Sequence, residues 1–272
     1  MVPLFEFQEG TLPLLISIPH AGTELPQDIA GRLSEVARAV PDTDWHVDRL
    51  YAFAAGMGAS VLKANYSRYV VDLNRPTDGG LLYPGQRETG LCPLATFTDA
   101  PLYAPGDEPG ADEIASRVER YWKPYHDRLS ATLASLREQH GFALLWDAHS
   151  IRAEVPVLFE GRLPDFNLGT GGGTSCPPEI AETLLAAAQR AEGFSAVLNG
   201  RFKGGYITRH YGRPQENIIA VQLELTQSAY MDESQPHVWS QSRAEAARQV
   251  IEVLLRTLLD SARRYSSHSM GR

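Results

Sequence analysis

The sequence is poor in cysteine and has no long apolar run. Its 272 residues include two cysteines, Cys92 and Cys176, too few for the disulfide network of a small secreted domain. The apolar stretches at residues 12–18 and 142–146 are far shorter than the ~20 residues that span a bilayer. The N-terminal segment also lacks the basic and apolar parts of a secretory signal. We therefore expect a cytoplasmic protein with no membrane role.

Basic residues are also in short supply. The chain carries 25 lysines and arginines against 33 aspartates and glutamates, a formal net charge of −8. Nucleic-acid binding is not expected, because it needs basic surface to replace the counterions of phosphate. An anionic small-molecule substrate would be repelled by the overall field. Such a substrate would need arginines concentrated at its binding site.

The apolar pattern predicts one catalytic α/β domain over residues 1–265, followed by a flexible polar tail at residues 266–272. Hydrophobic residues make up 43% of the chain, which is enough for a sizeable core, and there is no repeat or linker. Short apolar runs that favour strands alternate with amphipathic runs that favour helices. This alternation predicts three layers, α/β/α, around a mixed, mostly parallel sheet. The oligomeric state stays open.

The predicted elements place the candidate site. Strands are predicted at residues 12–18, 59–63, 69–73, 143–147, 155–159, 196–199 and 218–225. Helices are predicted at residues 45–57, 112–140 and 241–265, the last two with apolar residues three and four apart. Ligands of such sheets bind beyond the carboxyl ends of the strands. Residues that follow the strands are therefore the candidates for chemistry.

Two histidines lie at this edge of the predicted sheet. His20 follows the first strand, and His149 follows the strand at residues 143–147. Zinc prefers imidazole and carboxylate ligands, and catalytic zinc sites commonly use three protein ligands. Two acids compete for the third place. Asp44 could be a ligand or could cap the helix at residues 45–57, and Glu24 lies four residues after His20.

Glu224 and His210 are candidates for acid–base and oxyanion chemistry. Glu224 lies in the predicted strand at residues 218–225, where a buried carboxylate is costly unless it is paired or functional. It could pair with a buried arginine, or it could act as a general base next to a metal-bound water. His210 could stabilise a developing oxyanion or pack in the core.

Four arginines neighbour the same loops: Arg68, Arg75, Arg152 and Arg209, with Asn74 directly before Arg75. Arginine binds carboxylates through paired, charge-assisted hydrogen bonds. Any one of them could form a surface salt bridge, but several at one edge of an acidic protein indicate an anionic substrate.

Motifs for other chemistries are missing. There is no GxSxG segment, so a serine hydrolase of the common α/β type is not expected. The glycine-rich run from Gly169 to Gly173 lacks the lysine and hydroxyl residue of a phosphate loop. The two cysteines do not have the spacing of a zinc site.

Six segments taken together resemble the N-formylglutamate amidohydrolase family, and they occur in family order between about residues 12 and 231. They are Ser17-Ile-Pro-His20-Ala-Gly, Asp42-Thr-Asp44-Trp-His-Val-Asp48-Arg-Leu-Tyr51, Ser67-Arg68-Tyr-Val-Val-Asp72-Leu-Asn74-Arg75-Pro, Asp147-Ala-His149-Ser150-Ile-Arg152, Asn199-Gly-Arg201-Phe-Lys203-Gly-Gly-Tyr-Ile-Thr-Arg209-His210-Tyr-Gly and Gln222-Leu-Glu224-Leu. The resemblance implies that N-formyl-L-glutamate and water give L-glutamate and formate, the last step of one histidine-degradation route.

The family is similar in fold to zinc-dependent exopeptidases of the carboxypeptidase type, which use two histidines and one acid as ligands and a glutamate as base. The resemblance therefore implies one Zn²⁺ on His20, Asp44 and His149, with Glu224 as the base. There is one departure. The carboxypeptidase pattern has its acid three residues after the first histidine, where this chain has Thr23. The acid must come from elsewhere, and the family motif favours Asp44.

The same interpretation gives the remaining candidates a role in binding the substrate. Arg68, Arg75 and Arg152 would clamp the two carboxylates of glutamate, with Asn74 beside them. Arg209 or His210 would help to stabilise the tetrahedral oxyanion. Most of the specificity should come from the glutamate side, because a formyl group offers little surface to recognise.

Overall fold

The computed structural model describes residues 2–82 and 85–269. In this part of the chain, seven strands form one sheet in the order β1-β3-β2-β4-β7-β5-β6. The strands are β1 (Phe5–Gln8), β2 (Leu14–Ile18), β3 (Ser60–Ala64), β4 (Ala143–Ile151), β5 (Phe166–Gly169), β6 (Ala196–Leu198) and β7 (Ile218–Thr226). β3, β2, β4 and β7 are parallel, as are β5 and β6, while β1 and β5 run antiparallel to β3 and β7. The predicted mixed, mostly parallel sheet is confirmed.

Helices cover both faces of this sheet. They are α1 (Gln27–Ala30), α2 (Glu35–Arg38), α3 (Val47–Leu50), α4 (Ala54–Met57), α5 (Ala111–Arg117), α6 (Lys123–His140), α7 (Pro178–Gln189), α8 (Tyr206–Tyr211) and α9 (Gln241–Ser269), with a π-helical turn, Val118–Trp122, between α5 and α6. On β4, Trp146 shares a core cluster with Leu184 of α7 and Leu254 of α9. Leu145 faces the other way and clusters with Leu129 of α6. The predicted three-layer arrangement is confirmed, because alternate side chains of one strand are buried on opposite faces.

Two predicted strands are wrong, and two observed strands were not predicted. Residues 69–73 and 155–159 form turns and irregular chain. Val70 and Val71 are buried in the second core cluster, so their apolar character reflects packing rather than strand pairing. β1 and β5, of four residues each, lack the continuous apolar run that identified the central strands. β1 is a half-exposed edge strand, and β5 contains an asparagine and a glycine, which strands disfavour.

The helix predicted at residues 45–57 is two short helices, α3 and α4, and Asp44 does not cap it. The residue before α3 is His46, which has a φ of 62° and makes no side-chain capping bond. Oδ2 of Asp44 instead accepts a hydrogen bond from the backbone N–H of Ser150 and lies 3.1 Å from Nδ1 of His149. The capping interpretation of Asp44 is therefore wrong.

The last helix extends beyond the predicted boundary of the domain. α9 remains helical to Ser269, and Ser266 is buried. Residues 266–269 of the predicted tail are therefore part of α9. Residues 270–272 of that tail lie outside the described residues. In the described chain, no helix combines the length and the apolar character that crossing a membrane requires.

Candidate active site

Three buried side chains from separate parts of the chain converge at one edge of the sheet. His20 follows β2, Asp44 precedes α3, and His149 lies within β4. Their ligand-type atoms all lie within 4.8 Å of one another, and each residue is no more than 4% exposed. The backbone N–H of Asp44 donates to the carbonyl of His20 at 3.1 Å, which ties these two segments together. The structure thus brings the three predicted metal ligands into one cluster.

The two ring nitrogens of each histidine face different acids. Towards the cluster, Nδ1 of His149 is 3.1 Å and Nδ1 of His20 is 3.8 Å from Oδ2 of Asp44. On the other side, Nε2 of His20 is 2.8 Å from Oδ1 of Asp72, and Nε2 of His149 is 3.1 Å from Oδ2 of Asp147. An acid behind each ring favours a proton on Nε2 and leaves Nδ1 able to bind a cation.

The buried charges set the protonation of this cluster. Burial and the charge of Arg68 lower the pKa of His20. Burial opposes the ionisation of Asp72, but His20 and Arg68 outweigh it and hold the pKa of that carboxyl well below its usual range. Burial also opposes the charged form of His149, yet Asp147 raises its pKa well above the ordinary value. The cluster therefore favours an added positive charge, either a proton or a metal cation.

Arg68 is the charge partner of the acids around the cluster. Its Nη2 donates to Oδ2 of Asp72 at 2.9 Å, and its Nη1 lies 3.8 Å from Oδ1 of Asp44. The guanidinium also lies 5.0 Å from the centre of the Phe97 ring. Its Nε–H is buried and has no hydrogen-bond partner among the described residues. Arg68 therefore belongs both to the buried cluster and to the wall of the cleft above it.

β7 adds two polar side chains on the face that carries His149. In the parallel ladder His149 pairs with Glu224 and Asp147 pairs with Gln222, so all four side chains share one face. Oε1 of Gln222 accepts from the backbone N–H of Gly205 at 2.7 Å, which directs its Nε2 to donate to Glu224 at 3.2 Å. Burial raises the pKa of Glu224 to about 8. A carboxyl with such a pKa can exchange a proton near neutral pH.

A cleft opens above the cluster, and four arginines line it among the described residues: Arg68, Arg75, Arg87 and Arg201. The other lining residues are His20, Asp44, Asn74, Glu88, Thr89, Phe97, His149, Ser150, Ile151, Leu158, Phe202, Gly205, Gln222 and Glu224. A cleft that carries several guanidinium groups attracts anions despite the net negative charge of the chain. Arginines are therefore concentrated at the cleft, and two of them, Arg87 and Arg201, differ from those predicted.

Arg75 is held in the cleft by neutral oxygens. Its Nε donates to the carbonyl of Thr89 at 2.7 Å, and its Nη2 donates to the hydroxyl of the same residue at 3.1 Å. Its Nη1 donates to the carbonyl of Asn74 at 3.0 Å. Within the described chain Arg75 makes no ion pair, so its charge is fixed in place but not cancelled. Arg87, in contrast, pairs with Asp99.

Four predicted residues lie outside this arrangement. Arg152, Arg209, His210 and Glu24 are not among the described residues that line the cleft. Arg209 and His210 belong to α8, whose buried residues are Ile207, Thr208 and Tyr211, so these two positions lie on the more exposed side of the helix. Arg152 and Glu24 are exposed. The structure therefore separates Glu24 from the metal cluster and Arg152 from the other predicted clamp residues.

Asn74 lies in the cleft, but its amide faces the protein. Its Oδ1 accepts from the backbone N–H of Ile207 at 2.8 Å. Its Nδ2 lies 2.9 Å from Nε2 of His149 and 3.4 Å from Oδ2 of Asp147. Because Nδ2 can only donate, it lies within hydrogen-bonding distance of both members of the His149–Asp147 pair. Asn74 therefore supports the His149–Asp147 pair.

Sequence reasoning gave no role to five residues of the site: Asp72, Asp147, Gln222, Arg87 and Arg201. Two of them could have been found from strand geometry, because side chains two positions apart on a strand lie on the same face. Asp147 and Gln222 lie two positions before His149 and Glu224. Asp72 and Arg201 are within the segments that carry the family resemblance. Arg87 has no local signal, since it approaches the site only through the fold of the loop.

The donor set of the cluster fits a divalent cation. It offers two imidazole nitrogens and one carboxylate oxygen, with an acid behind each imidazole. This composition suits zinc and other first-row metals. Fold and site together define an α/β protein with a possible metal site inside a cationic cleft.

The chain belongs to the N-formylglutamate amidohydrolase family, whose sequence model matches residues 12–231. It is 54% identical over 259 residues to the N-formylglutamate deformylase of Pseudomonas aeruginosa, and 52% identical over 259 residues to that of Pseudomonas putida. Each alignment covers 95% of this chain and 97% of the relative. The crystal structure of N-formylglutamate amidohydrolase from Ralstonia eutropha JMP134 matches with a TM-score of 0.80 at 26% identity, covering 97% of this chain and 99% of that one. The family resemblance of the sequence is confirmed.

Proposed function

We propose that this chain is a zinc-dependent N-formylglutamate deformylase, which hydrolyses N-formyl-L-glutamate to L-glutamate and formate. The observation that carries the proposal is the buried cluster of His20, Asp44 and His149 beside Glu224, at the floor of a cleft lined by arginines. The names of the two Pseudomonas relatives support the same substrate. The place in histidine degradation and the cytoplasmic location belong to this proposal.

The three clustered side chains would hold the metal. Nδ1 of His20, Nδ1 of His149 and a carboxylate oxygen of Asp44 are the donors, and Asp72 and Asp147 orient the two rings from behind. A bound zinc ion would supply Lewis-acid chemistry, polarising a carbonyl and acidifying a water. Iron or cobalt would also suit these ligands.

Glu224 is the proton carrier of the proposed reaction. Its carboxylate takes a proton from the water that attacks the formyl carbon and passes it to the departing amine. Burial raises its pKa to about 8, and a cation in the neighbouring cluster would favour its charged form. The hydrogen bond from Gln222 holds the carboxylate in one orientation. The proton therefore moves between the two reacting atoms on a single, positioned group.

Arg75 binds a carboxylate of the substrate in this proposal. Its guanidinium is oriented by Thr89 and Asn74 and keeps its charge for a ligand. Arg201 lines the same cleft, which makes it the candidate for the second carboxylate. Its Nε and Nη2 donate to the carbonyls of Leu158 and Arg87, which orient the guanidinium. Arg201 thus replaces Arg152, which is exposed, in the predicted clamp. Arg68 forms ion pairs with Asp72 and Asp44, so its role is to balance the charge of these acids rather than to bind the substrate directly.

The decisive experiment is formate release from N-formyl-L-glutamate by the purified protein, before and after chelation and after zinc add-back. We expect release that is lost with the metal and restored with zinc. N-acetyl- and N-succinyl-glutamate, tested in parallel, separate this activity from that of another N-acyl amino acid hydrolase. No formate from metal-loaded protein, with hydrolysis of another N-acyl substrate, would overturn the substrate assignment. Binding of glutamate without turnover of any of the three would overturn the enzyme assignment.

A further inference from the structure

A three-residue turn, residues 73–75, joins the two functions of the site. Asn74 supports the His149–Asp147 pair from one side, and Arg75 presents its charge to the cleft from the other. This turn lies in irregular chain, so no strand ladder holds it. Its position must depend on other contacts.

Two side chains of a neighbouring helix hold the carbonyls on both sides of Asn74. The indole N–H of Trp122 donates to the carbonyl of Arg75 at 3.0 Å. Nε2 of His126 donates to the carbonyl of Leu73 at 2.9 Å. The two rings stack with centroids 3.6 Å apart and 19° between their planes. The stacked pair of Trp122 and His126 therefore holds the turn by two hydrogen bonds.

The helix is built to present this pair. Trp122 is the last residue of the π-helical turn, and His126 lies four positions later in α6, so both project from the same side. A π-helical turn adds a residue to the helix and shifts the side chains around its axis, and such turns are frequent at functional sites. The hydroxyl of Tyr211 lies 3.0 Å from Nδ1 of His126 and fixes its ring. Burial lowers the pKa of His126 to about 4, which keeps it neutral.

We propose that Trp122 and His126 are positioning residues that hold the 73–75 turn and so set the affinity of Arg75 for the substrate carboxylate. This inference rests on the proposed function, in which Arg75 binds that carboxylate. Neither ring is among the described residues that line the cleft, so both act through the turn.

The test is Trp122→Phe, which removes the indole N–H and keeps an aromatic ring on His126. A neutral hydrogen bond contributes about 1 kcal/mol, so we expect KM to rise about fivefold while kcat stays within about twofold. Trp239→Phe is the matched control, because it removes an indole N–H that donates to the side chain of Gln241 at 3.2 Å. Its KM should stay that of the wild type. Equal KM values for the two variants would overturn the proposal.

A double-mutant cycle with Arg75→Ala separates positioning from a general loss of structure. If Trp122 acts through Arg75, Trp122→Phe should leave KM unchanged in the Arg75→Ala background. A further fivefold rise in that background would contradict the proposal. His126→Phe, which loses the bond to Leu73 but keeps a ring, provides the same comparison should Trp122→Phe fail to fold.

The outcomes distinguish this inference from the function on which it rests. Wild-type protein that neither releases formate nor binds L-glutamate in calorimetry would overturn both. Wild-type protein that releases formate, with Trp122→Phe and Trp239→Phe alike in KM, would overturn the positioning role alone.

Discussion

The two halves of the active site are held in place by different means. The sheet half comprises Asp147, His149, Gln222 and Glu224, on the neighbouring strands β4 and β7. The loop half comprises Arg68, Asp72, Asn74, Arg75 and Arg87, which lie between β3 and α5, where the described residues form no strand. In the sheet half the backbone ladder sets the spacing, whereas in the loop half side-chain hydrogen bonds do so. We therefore expect a substitution in the sheet half to leave its neighbours in place, and a substitution in the loop half to displace neighbouring residues as well.

The largest expected effect is in the sheet half, from Glu224→Gln. The amide fills nearly the same volume but cannot accept the proton of the attacking water, so kcat should fall by about 10²–10⁴. Zinc content and melting temperature should remain those of the wild type, because the β4–β7 ladder does not depend on this side chain. A steady-state assay with metal analysis checks this. A kcat within tenfold of the wild type would remove Glu224 from the chemistry.

Next in size is Arg75→Ala in the loop half. Loss of a charged hydrogen-bond donor to a carboxylate should lower kcat/KM by about 10- to 100-fold while zinc stays bound. Arg152→Ala is the matched control, since Arg152 is exposed and should leave kcat/KM within about twofold. If the two variants behaved in the opposite way, Arg152 rather than Arg75 would bind the substrate, and the cleft that Arg75 lines would not be its binding site.

Asp147→Asn tests how the sheet half supports the metal. The amide no longer draws the proton of His149 to Nε2, so zinc affinity should fall by about 10- to 100-fold. Competition with a chromogenic chelator measures this affinity. Asp165→Asn is the control, because Asp165 bonds to Ser195 and does not line the cleft in the described chain. Unchanged affinity in Asp147→Asn would mean that the ring of His149 is oriented by other contacts.

The smallest expected effect is a pH dependence of stability from His126, which lies in α6 and holds the loop half through Leu73. His126 has a pKa of about 4 in the folded protein, below the 6.5 of an unperturbed histidine, because burial outweighs the carbonyl of Leu73. The unfolded chain therefore binds more protons between those values, so this contribution to stability is full above pH 6.5 and is lost as the pH falls towards 4. In His126→Gln the melting temperature should change less with pH between these two values. A variant that kept the full wild-type slope would contradict the assignment.

Two residues of the sheet half, and His20 beside it, could be predicted from the sequence. Nearly continuous apolar runs identified β2, β4 and β7, and the polar residues that interrupt or follow them are His20, His149 and Glu224. A polar side chain within a strand buried on both faces needs a partner or a function, which makes it visible without coordinates. The roles of these residues stay predictions until the variants are measured.

The loop half could be predicted only in part. The strand predicted at residues 69–73 is irregular chain, and Arg209 and His210 lie away from the cleft that Arg87 and Arg201 line. Residues of a loop approach a site through contacts far apart in sequence, such as that between Trp122 and Arg75. No local pattern records such contacts.

The sequence by itself determined the class of fold and the candidate residues His20, His149 and Glu224 at the strands. These follow from periodicity and from the cost of burying polar groups, which are properties of short segments. Only the tertiary structure decided that Asp44 rather than Glu24 joins the two histidines, and which arginines face them. Those choices depend on how loops from separate parts of the chain pack against one another, and side-chain direction there is set by long-range contacts.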